Sequence, residues 1–418
     1  MENDKSRIKR LKEWIDRYDA AIWVRFWGTV LTSVTTFMLR PFLVLYLYDK
    51  MNGSILLPMV VVGLQPLTGM VVSLWGGGLS DRYGRMPVML SALAIQAASM
   101  AGYMFAETVW HFAFLTILNG LGAALFFPAA SAQVADVVEE EKTAEVFALL
   151  HTGVNIGTAV GPLIGLALFT HSPALVFGIS AVSLLLYTVM LWWKVPETLP
   201  VELKGSNKKA KVQRLAVREH KTLLWITILA LPVGLLYSQV ETLLPLHLKA
   251  NFADYQAILA WLLAINGTAI ILLQMWLAKR TEHLAARNVI LFAYLTMVVV
   301  ALGYGLAPTF ALLILVEIIF TIGEMLFGPH MQKSISVLAP TEMRGRYFSI
   351  YGLNLQLARA IGPVLSGLSF AHFGGEITFG IIGMLLLLSG IVQYRVINSI
   401  YHKRKQAAAL SPQAGSCA

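Results

Sequence analysis

The chain has 418 residues, of which 57% are hydrophobic and 13% charged, and its mean hydropathy is +0.68. Soluble domains are about 45–50% apolar and about 25% charged, so this composition excludes an ordinary water-soluble protein. The formal net charge of +9 does not by itself indicate nucleic-acid binding, because its meaning depends on where the charges lie. The single cysteine, Cys417, excludes an intrachain disulfide and a thiolate metal cluster, and no cofactor or metal is expected.

Apolar runs of about twenty residues recur along the chain, and each is long enough to cross about 30 Å of hydrocarbon as a helix. Charged residues, Gly or Pro bound each run. The sequence therefore predicts an all-α membrane protein with twelve transmembrane helices. The predicted spans are 22–48, 55–79, 86–105, 110–134, 144–169, 174–193, 222–248, 255–278, 288–306, 309–332, 347–371 and 377–396.

The positions of the charges predict the orientation. Apart from Arg25, Arg40 and Arg359, which lie within spans, every Lys and Arg except Lys50 and Lys249 falls on one side of the predicted membrane. Cytoplasmic loops carry the excess of Lys and Arg, so both termini are predicted to be cytoplasmic. Anionic membrane lipid on this face accounts for the net charge without nucleic acid. Because no targeting extension is recognisable, we expect a multi-pass protein of a bacterial cell membrane.

The chain contains an internal repeat with an offset of 201 positions and no gap. The register pairs residues that rarely match by chance, namely Trp75 with Trp276, Tyr103 with Tyr304, Pro128 with Pro329, Pro162 with Pro363, and His171 with His372. An even number of spans in each half gives two parallel halves, with a substrate path between them near the membrane midplane. The sequence thus predicts two pseudo-symmetric six-helix bundles.

Five segments make up the predicted organisation. The first carries basic residues together with apolar residues at helical spacing, which favours a helix on the inner membrane surface. The predicted segments are a basic amphipathic N-terminal segment (1–21), an N-terminal bundle (22–193), a basic cytoplasmic linker (194–221), a C-terminal bundle (222–396) and a cytoplasmic tail (397–418).

Two motifs resemble those of the major facilitator superfamily. The loop from Gly77 to Arg85 is similar to the family signature G-x-x-x-D-R-x-G-R, and the glycines of span 5 resemble the motif of its drug:proton antiporters. The resemblance implies a gating role for the loop, in which Arg85 reaches Asp136 and Asp81 docks against span 11. The implied gating residues are Gly77, Asp81, Arg82, Gly84, Arg85 and Asp136, and the antiporter-like residues are Gly153, Gly157, Gly161, Pro162 and Gly165.

Span 4 departs from the family pattern. The family often carries an arginine four residues before the glycine of its next motif, whereas here Thr116 precedes Gly120. The proton-relay arginine that the resemblance implies for this helix is therefore missing, and proton coupling is expected elsewhere in the chain.

Ionised side chains within spans are functional candidates, because each costs at least about 2.5–3.5 kcal/mol near the bilayer centre. Arg40 and Glu241 are repeat-equivalent, so a bridge between the halves that seals the outer side is one hypothesis. The alternatives are that Arg40 extends to the outer interface and that Glu241 faces water at the cavity mouth. Arg25 lies a few residues into span 1 and is expected to reach the cytoplasmic headgroups.

Glu317 and Glu324 lie seven residues apart in span 10, so both project from one helix face about 10 Å apart. Burial favours the protonated form of a carboxyl, as a proton-coupled carrier requires, and we predict Glu241, Glu317 and Glu324 as proton-coupling residues. The alternative for Glu317 and Glu324 is a neutral, structural role. Arg359, in the middle of span 11, needs an anion, for which Glu324 or Glu317 is the predicted partner.

Amphipathic and aromatic residues of the spans are candidates for a cavity lining. Each could instead be a packing residue or part of an interfacial aromatic belt. An aromatic cavity with carboxyls would suit lipophilic cations through apolar contact, cation–π attraction and charge. The candidates are Trp27, Phe37, Gln65, Phe127, Tyr237, Gln239, Trp261, Asn266, Tyr351, Asn354 and Gln356.

These features favour a monomeric secondary transporter that exports lipophilic or cationic compounds in exchange for protons. The alternative within transport is a proton-coupled transporter of one specific metabolite, sugar or lipid-linked product. An ATP-driven pump or a membrane enzyme is disfavoured, because the sequence contains no G-x-x-x-x-G-K-[ST] phosphate loop and no His/Asp/Ser constellation on a loop. A third alternative is a sensor or scaffold that does not transport, in which neutralising the buried acids would cause no loss of flux.

Overall fold

The computed structural model describes residues 18–76, 79–138, 140–169, 171–198, 220–340 and 344–410. These residues form helices joined by short connections, and no strand occurs among them. Most of the predicted N-terminal segment, most of the 194–221 linker and the end of the tail lie outside the described residues. The prediction of an all-α protein is confirmed.

The described residues form fourteen helices. The long helices coincide with the apolar runs, because in hydrocarbon a helix satisfies its own backbone hydrogen bonds. The helices are α1 (Ala20–Lys50), α2 (Leu56–Gly76), α3 (Leu79–Tyr83), α4 (Arg85–Tyr103), α5 (Val109–Val137), α6 (Glu140–Phe169), α7 (Pro173–Lys194), α8 (Lys221–Leu229), α9 (Leu231–Glu241), α10 (Leu243–Asn251), α11 (Tyr255–Thr281), α12 (Ala286–Leu306), α13 (Phe310–Leu338) and α14 (Arg344–Leu410).

Ten helical stretches of the described chain are long and apolar enough to cross a membrane, and 56–72 is a shorter apolar helix. The stretch from Tyr347 to His402 contains two predicted spans, which are separated at Gly374, where φ is +78°. The predicted span 222–248 is divided among α8, α9 and α10, with non-helical geometry at Thr242. The total of twelve crossings and the cytoplasmic position of the termini stay predictions.

The chain divides into two compact units, one formed by residues 1–40 and 68–209 and the other by 41–67 and 210–418. In the first, α4 packs on α7 around Met89 and Tyr187, which have no exposed surface. In the second, α12 packs on α13 and α14 around Tyr304 and Phe379, whose ring centroids lie 5.9 Å apart. Segment 41–67 belongs to the second unit, where the backbone of Gly63 closely approaches the Ala360 carbonyl.

The internal repeat extends to local geometry. Helices α5 and α13 both have 29 residues and begin and end at repeat-equivalent positions. Their N-cap residues, Thr108 and Thr309, each accept a hydrogen bond from the backbone N–H three residues later, at 3.3 Å in both cases. This pair of helices therefore shares its length and its N-cap as well as sequence. The boundaries of the predicted domains stay a prediction.

Candidate functional site

The first element of the candidate site is an ion pair at a break in the seventh predicted span. Glu241 is the last residue of α9, and the Arg359 guanidinium donates from Nη2 to its Oε1 at 3.5 Å. Both side chains are partly exposed, by 32% for Arg359 and 18% for Glu241. Helix C-terminal carbonyls favour a nearby cation, so the end of α9 also suits the arginine.

Small residues bring α9 close enough to α14 for this pair to form. A Cβ built on Gly234 would lie 2.9 Å from the Ala358 Cβ, and one on Gly362 would lie 2.9 Å from Leu235 Cδ2. The structure therefore gives Arg359 an ion-pair partner on span 7, whereas the sequence analysis expects Glu317 or Glu324 on span 10. Glu324 of span 10, one of the two partners that the sequence analysis expects, also interacts electrostatically with Arg359.

Glu324 forms the second element of the site. Its Oε2 accepts a hydrogen bond from Asn266 Nδ2 at 3.0 Å, and the same amide nitrogen lies 3.1 Å from Thr321 Oγ1. Glu324 also interacts electrostatically with Arg359 and Glu241. Helices α9, α11, α13 and α14 thus bring an amide, a hydroxyl, two carboxyls and a guanidinium into one cluster. We call Glu241, Glu324 and Arg359 the charge triad.

Glu317 is not part of the charge triad and is more deeply buried than Glu241 and Arg359. It has no exposed surface, and its Oε2 accepts a hydrogen bond from the Tyr304 hydroxyl at 2.6 Å. Its Oε1 is buried and has no hydrogen-bond partner among the described residues. A charged carboxylate in such surroundings would be costly, so the arrangement favours a neutral acid.

The same hydrogen bond recurs in the first half with another residue type. The hydroxyls of Tyr103 and Thr116, which are repeat-equivalent to Tyr304 and Glu317, lie 2.6 Å apart. The second half has therefore replaced a hydroxyl by a carboxyl at a conserved local contact. In each half the two residues of this contact lie thirteen positions apart. The internal repeat, which pairs both residues of one half with those of the other, was the sequence signal for the contact.

The predicted cavity residues differ in exposure. Gln239 has no accessible surface, and its Oε1 accepts from Ser366 Oγ at 2.6 Å, so it fills the α9–α14 contact and does not line open space. This corrects its prediction as a lining residue, and the reason is the close packing of those helices. Asn266 and Asn354 are buried, Trp27, Phe127, Trp261 and Gln356 are exposed, and Phe37, Gln65, Tyr237 and Tyr351 are half-buried.

The cytoplasmic gating motif forms a cluster within the first unit. Arg85 Nε lies 3.2 Å from Asp136 Oδ2, the contact that the family resemblance implies, and Arg85 Nη1 donates to Ser80 Oγ at 3.0 Å. Arg82 is exposed. Gly77 and the side chain of Asp81 lie outside the described residues, so the docking of Asp81 stays a prediction.

Glu197 is a member of this cluster that the sequence analysis missed. Its carboxylate accepts from the backbone N–H groups of Arg85 at 2.9 Å and Met86 at 3.2 Å, which caps the start of α4. Gly84 precedes that helix with a φ of +107°, and a Cβ there would collide with Glu197. A signal is present in the sequence, because Glu197 is an acid four residues after span 6, within the segment predicted as a basic linker.

The glycines of span 5 face span 1. A Cβ on Gly153 would lie 3.2 Å from Val30 Cγ2, and one on Gly161 would lie 2.8 Å from the Val34 carbonyl oxygen. Gly157 closely approaches Ser33 in the same way, and Gly165 and Pro162 are buried. The strip therefore serves close helix packing within the first unit. Its antiporter role stays a prediction.

The arginines of span 1 have different environments. Arg25 is only 6% exposed, and its guanidinium donates from Nη1 to the Tyr187 hydroxyl at 2.6 Å and stacks over the Phe126 ring at 5.3 Å. The side chain therefore points into the first unit. The expectation that it reaches the headgroups is wrong, because its guanidinium binds the Tyr187 hydroxyl and the Phe126 ring instead. Arg40 is half-buried, and its bridge to Glu241 stays a prediction.

A family model described as Major Facilitator Superfamily matches residues 25–363 and again residues 256–414. The chain belongs to the Major Facilitator Superfamily. It is accordingly a multi-pass membrane transporter of small molecules and not an enzyme. Its similarity to bacterial transporters is consistent with the cell membrane as its location.

Three relatives illustrate the range of similar proteins. The MFS-type transporter YhjO of Bacillus subtilis (strain 168) is 35% identical over 387 residues, which cover 93% of this chain and 96% of YhjO. The Na(+), Li(+), K(+)/H(+) antiporter of Planococcus maritimus is 28% identical over 431 residues, covering 95% and 99% of the two chains. The multidrug resistance protein MdtH of Shigella sonnei (strain Ss046) is 26% identical over 341 residues, covering 80% and 82%.

Solved structures share the fold. A POT family transporter in complex with 5-aminolevulinic acid aligns with a TM-score of 0.76 over 92% of this chain and 97% of its own, at 15% identity. The human organic anion transporter MFSD10 aligns with a TM-score of 0.65 over 90% and 99%, at 18% identity. At such identities the similarity shows the fold alone.

Proposed function

We propose that this chain is a proton-coupled antiporter that exports lipophilic, cationic compounds by alternating access. The observation that carries the proposal is the charge triad, in which two carboxyls and one guanidinium share a site at the α9–α10 break. In transporters, discontinuous membrane helices form sites for substrates and coupling ions. MdtH, a similar protein, is described as a multidrug resistance protein.

The charges of the triad supply a physical basis for exchange. With both acids ionised and Arg359 protonated, its formal charge is −1. One proton or one monovalent organic cation neutralises it, but the two together would leave an excess positive charge in a site of low dielectric constant. Proton and cation therefore compete for the same negative charge, which is the requirement for antiport.

Glu241 and Glu324 have separate roles in this mechanism. Arg359 acts as an internal cation that holds Glu241 while no substrate is bound. Glu324, held by Asn266, remains available to a proton or to the substrate cation. Glu317 keeps its proton throughout the cycle, because it is fully buried behind Tyr304. This role differs from the exchanging role that the sequence analysis gives Glu317.

A second candidate is antiport of monovalent metal cations and protons. Asn266 donates from Nδ2 to the Glu324 carboxylate and the Thr321 hydroxyl. A 180° rotation of this amide would present its oxygen beside those two groups, and hard cations prefer oxygen ligands. One relative is described as a Na(+), Li(+), K(+)/H(+) antiporter. Carriage of one specific metabolite is the remaining alternative, for which a single-compound deletion phenotype would be expected.

The test is transport into vesicles containing the purified protein under an imposed pH gradient. A fluorescent lipophilic cation and alkali-metal salts are offered separately to the wild type and to Glu324→Gln, Glu241→Gln and Glu317→Gln. Removing one competing charge changes such a coupling by about 1–3 kcal/mol. We therefore expect gradient-driven uptake to fall by about 5- to 150-fold in Glu324→Gln and Glu241→Gln.

The controls separate the mechanisms. Glu107→Gln removes an exposed acid outside the triad and should transport like the wild type. Glu317→Gln should also retain gradient-driven uptake, because glutamine resembles a protonated glutamate. Undiminished uptake in both Glu324→Gln and Glu241→Gln would contradict the proposal. Proton flux driven by sodium or potassium, without uptake of the organic cation, would favour the second candidate.

A further inference from the structure

His330 of α13 lies buried against the end of α11, in a contact that the charge triad does not use. The residue is only 4% exposed. Its Nδ1 lies 3.0 Å from the backbone oxygen of Leu326, and its Nε2 lies 3.2 Å from the backbone oxygen of Thr281, the last residue of α11. A carbonyl oxygen can only accept a hydrogen bond, and only the doubly protonated imidazolium donates from both ring nitrogens. The geometry therefore fits the cationic form of His330.

A second cation of α13 binds the next carbonyl group of the chain. Lys333 donates from Nζ to the backbone oxygen of Glu282, which follows Thr281, at 3.0 Å. The last carbonyl groups of a helix have no partner within it, and they form the negative end of the helix dipole. His330 and Lys333 thus provide these carbonyl groups with positively charged donors. We call His330, Lys333 and the carbonyl groups of Thr281 and Glu282 the cationic clasp.

The first half holds its equivalent loop in a different way. There Arg85 of the loop pairs with Asp136 of α5 and also donates to Ser80. The second half has apolar residues at the positions of that arginine and aspartate, whereas the first half has alanine at both clasp positions. The equivalent pairs are Arg85 with Ala286, Asp136 with Val337, Ala129 with His330 and Ala132 with Lys333. The second half therefore lacks the arginine lock and has in its place a clasp with a titratable member.

We propose that the cationic clasp is a pH-sensitive switch that fastens the loop between α11 and α12 to α13. Doubly protonated His330 donates to both carbonyl groups that face it. Loss of one proton leaves a ring with a single donor, and its other nitrogen then faces a carbonyl oxygen as a second acceptor. A carbonyl group left without its donor favours opening of the contact. Alkaline conditions on this side of the membrane, which the charges predict to be cytoplasmic, therefore leave Lys333 alone to hold the loop.

Other charges near the clasp belong to the three helices that pack on α13, namely α11, α12 and α14, and to the loop itself. Glu282 is the acid of this group, and its side chain is exposed, so water and salt screen its attraction for an imidazolium. Arg287 is held by α14, where it donates to Asn398 and stacks on Tyr394. The charged and titratable side chains at this end of the helices are Lys279, Arg280, Glu282, His283, Arg287, Tyr394, Arg395 and His402.

The test is hydrogen–deuterium exchange of the full-length protein in detergent, measured by mass spectrometry at about pH 6 and about pH 8.5, on either side of the range in which histidines titrate. The rates are corrected for the intrinsic pH dependence of amide exchange. We expect the amides of 279–286 to lose at least about fivefold of their protection at the higher pH, the factor that one hydrogen bond provides. The equivalent loop of the first half, 79–86, contains no histidine and should keep its protection.

Three variants separate the clasp from other histidines and from its lysine. His330→Gln has no titratable ring and should abolish the pH dependence, whereas His283→Gln removes an exposed histidine of the same loop and should retain it. Lys333→Gln should lower protection by about fivefold at both pH values and retain the pH dependence. Equal protection of the wild-type loop at both pH values, or an unchanged pH dependence in His330→Gln, would overturn the proposal. So would loss of the pH dependence in His283→Gln, which would assign the titration to the exposed histidine.

Discussion

At the scale of single residues, the most informative comparison is between Thr116 and Glu317. Both meet a tyrosine hydroxyl at 2.6 Å, although one partner is a hydroxyl and the other a carboxyl. The packing of the site has therefore been kept while a titratable group has been introduced. An acid at such a position can be held neutral for structure, or it can exchange protons, and the two roles predict different mutant behaviour.

Removing the tyrosine hydroxyl should affect the two halves unequally. Tyr304→Phe leaves a buried carboxyl oxygen without its donor, which costs about 1–3 kcal/mol. Tyr103→Phe, the matched control, leaves Thr116 with its bond to the Phe112 carbonyl, so its cost should be nearer about 1 kcal/mol. Thermal unfolding of both variants in detergent measures the difference. A larger loss of stability in Tyr103→Phe than in Tyr304→Phe would contradict the expected cost of leaving the buried Glu317 carboxyl without its donor.

The residues of the site were predictable, but several of their partners were not. The cost of burying charge identified Glu241, Glu324 and Arg359 from the sequence. The Glu241–Arg359 pair depends on the packing of α9 against α14, which no residue pattern within one span reveals. Glu197 was missed for a related reason, since its role depends on the start of a helix 112 positions earlier.

At the scale of helices, the apolar runs predicted the elements well, and local chemistry decided where they break. The predicted span 222–248 is interrupted at Ala230 and Thr242, and Pro232 and Pro245 follow these positions. The Thr242 hydroxyl bonds the Ser238 carbonyl at 2.8 Å, which offers that backbone group an alternative partner. Hydropathy alone does not distinguish such a broken span from a continuous one.

Adding a methyl group to repeat-equivalent glycines should have unequal effects. In Gly161→Ala the new Cβ meets the Val34 carbonyl oxygen at 2.8 Å, whereas in Gly362→Ala it meets the flexible end of Leu235 at 2.9 Å. Backbone cannot move as easily as the tip of a side chain. We therefore expect Gly161→Ala to lower the free energy of unfolding by about 1–3 kcal/mol and Gly362→Ala to lower it by less. Thermal unfolding in detergent measures both.

The control for this comparison is Gly328→Ala in α13, where nothing lies within 4 Å of the new Cβ. An unhindered Gly-to-Ala change within a helix stabilises it by up to about 1 kcal/mol. If Gly161→Ala were as stable as Gly328→Ala, the glycine strip of span 5 would not be a packing surface.

At the scale of the whole molecule, duplication provides a common framework and the differences between its copies supply the chemistry. The length and N-cap of helices α5 and α13 and the tyrosine contact are shared by both halves. The carboxyls of Glu317 and Glu324 and the guanidinium of Arg359 belong to the second half only, and the Glu197 cap belongs to the first. Proton coupling is therefore expected to depend mainly on the second half and cytoplasmic gating on the first.

The duplication also predicts a second partner for Glu241. Arg40 is its repeat mate, so we expect Glu241 to exchange Arg359 for Arg40 when the transporter changes state. A double-mutant cycle on Arg40→Ala and Glu241→Ala, measured as the rate of gradient-driven uptake, should then show a coupling of about 0.5–3 kcal/mol. The same cycle on Arg359→Ala and Glu241→Ala should show coupling of similar size. Additivity within about 0.5 kcal/mol for the Arg40 cycle alone would show that Glu241 keeps one partner throughout transport.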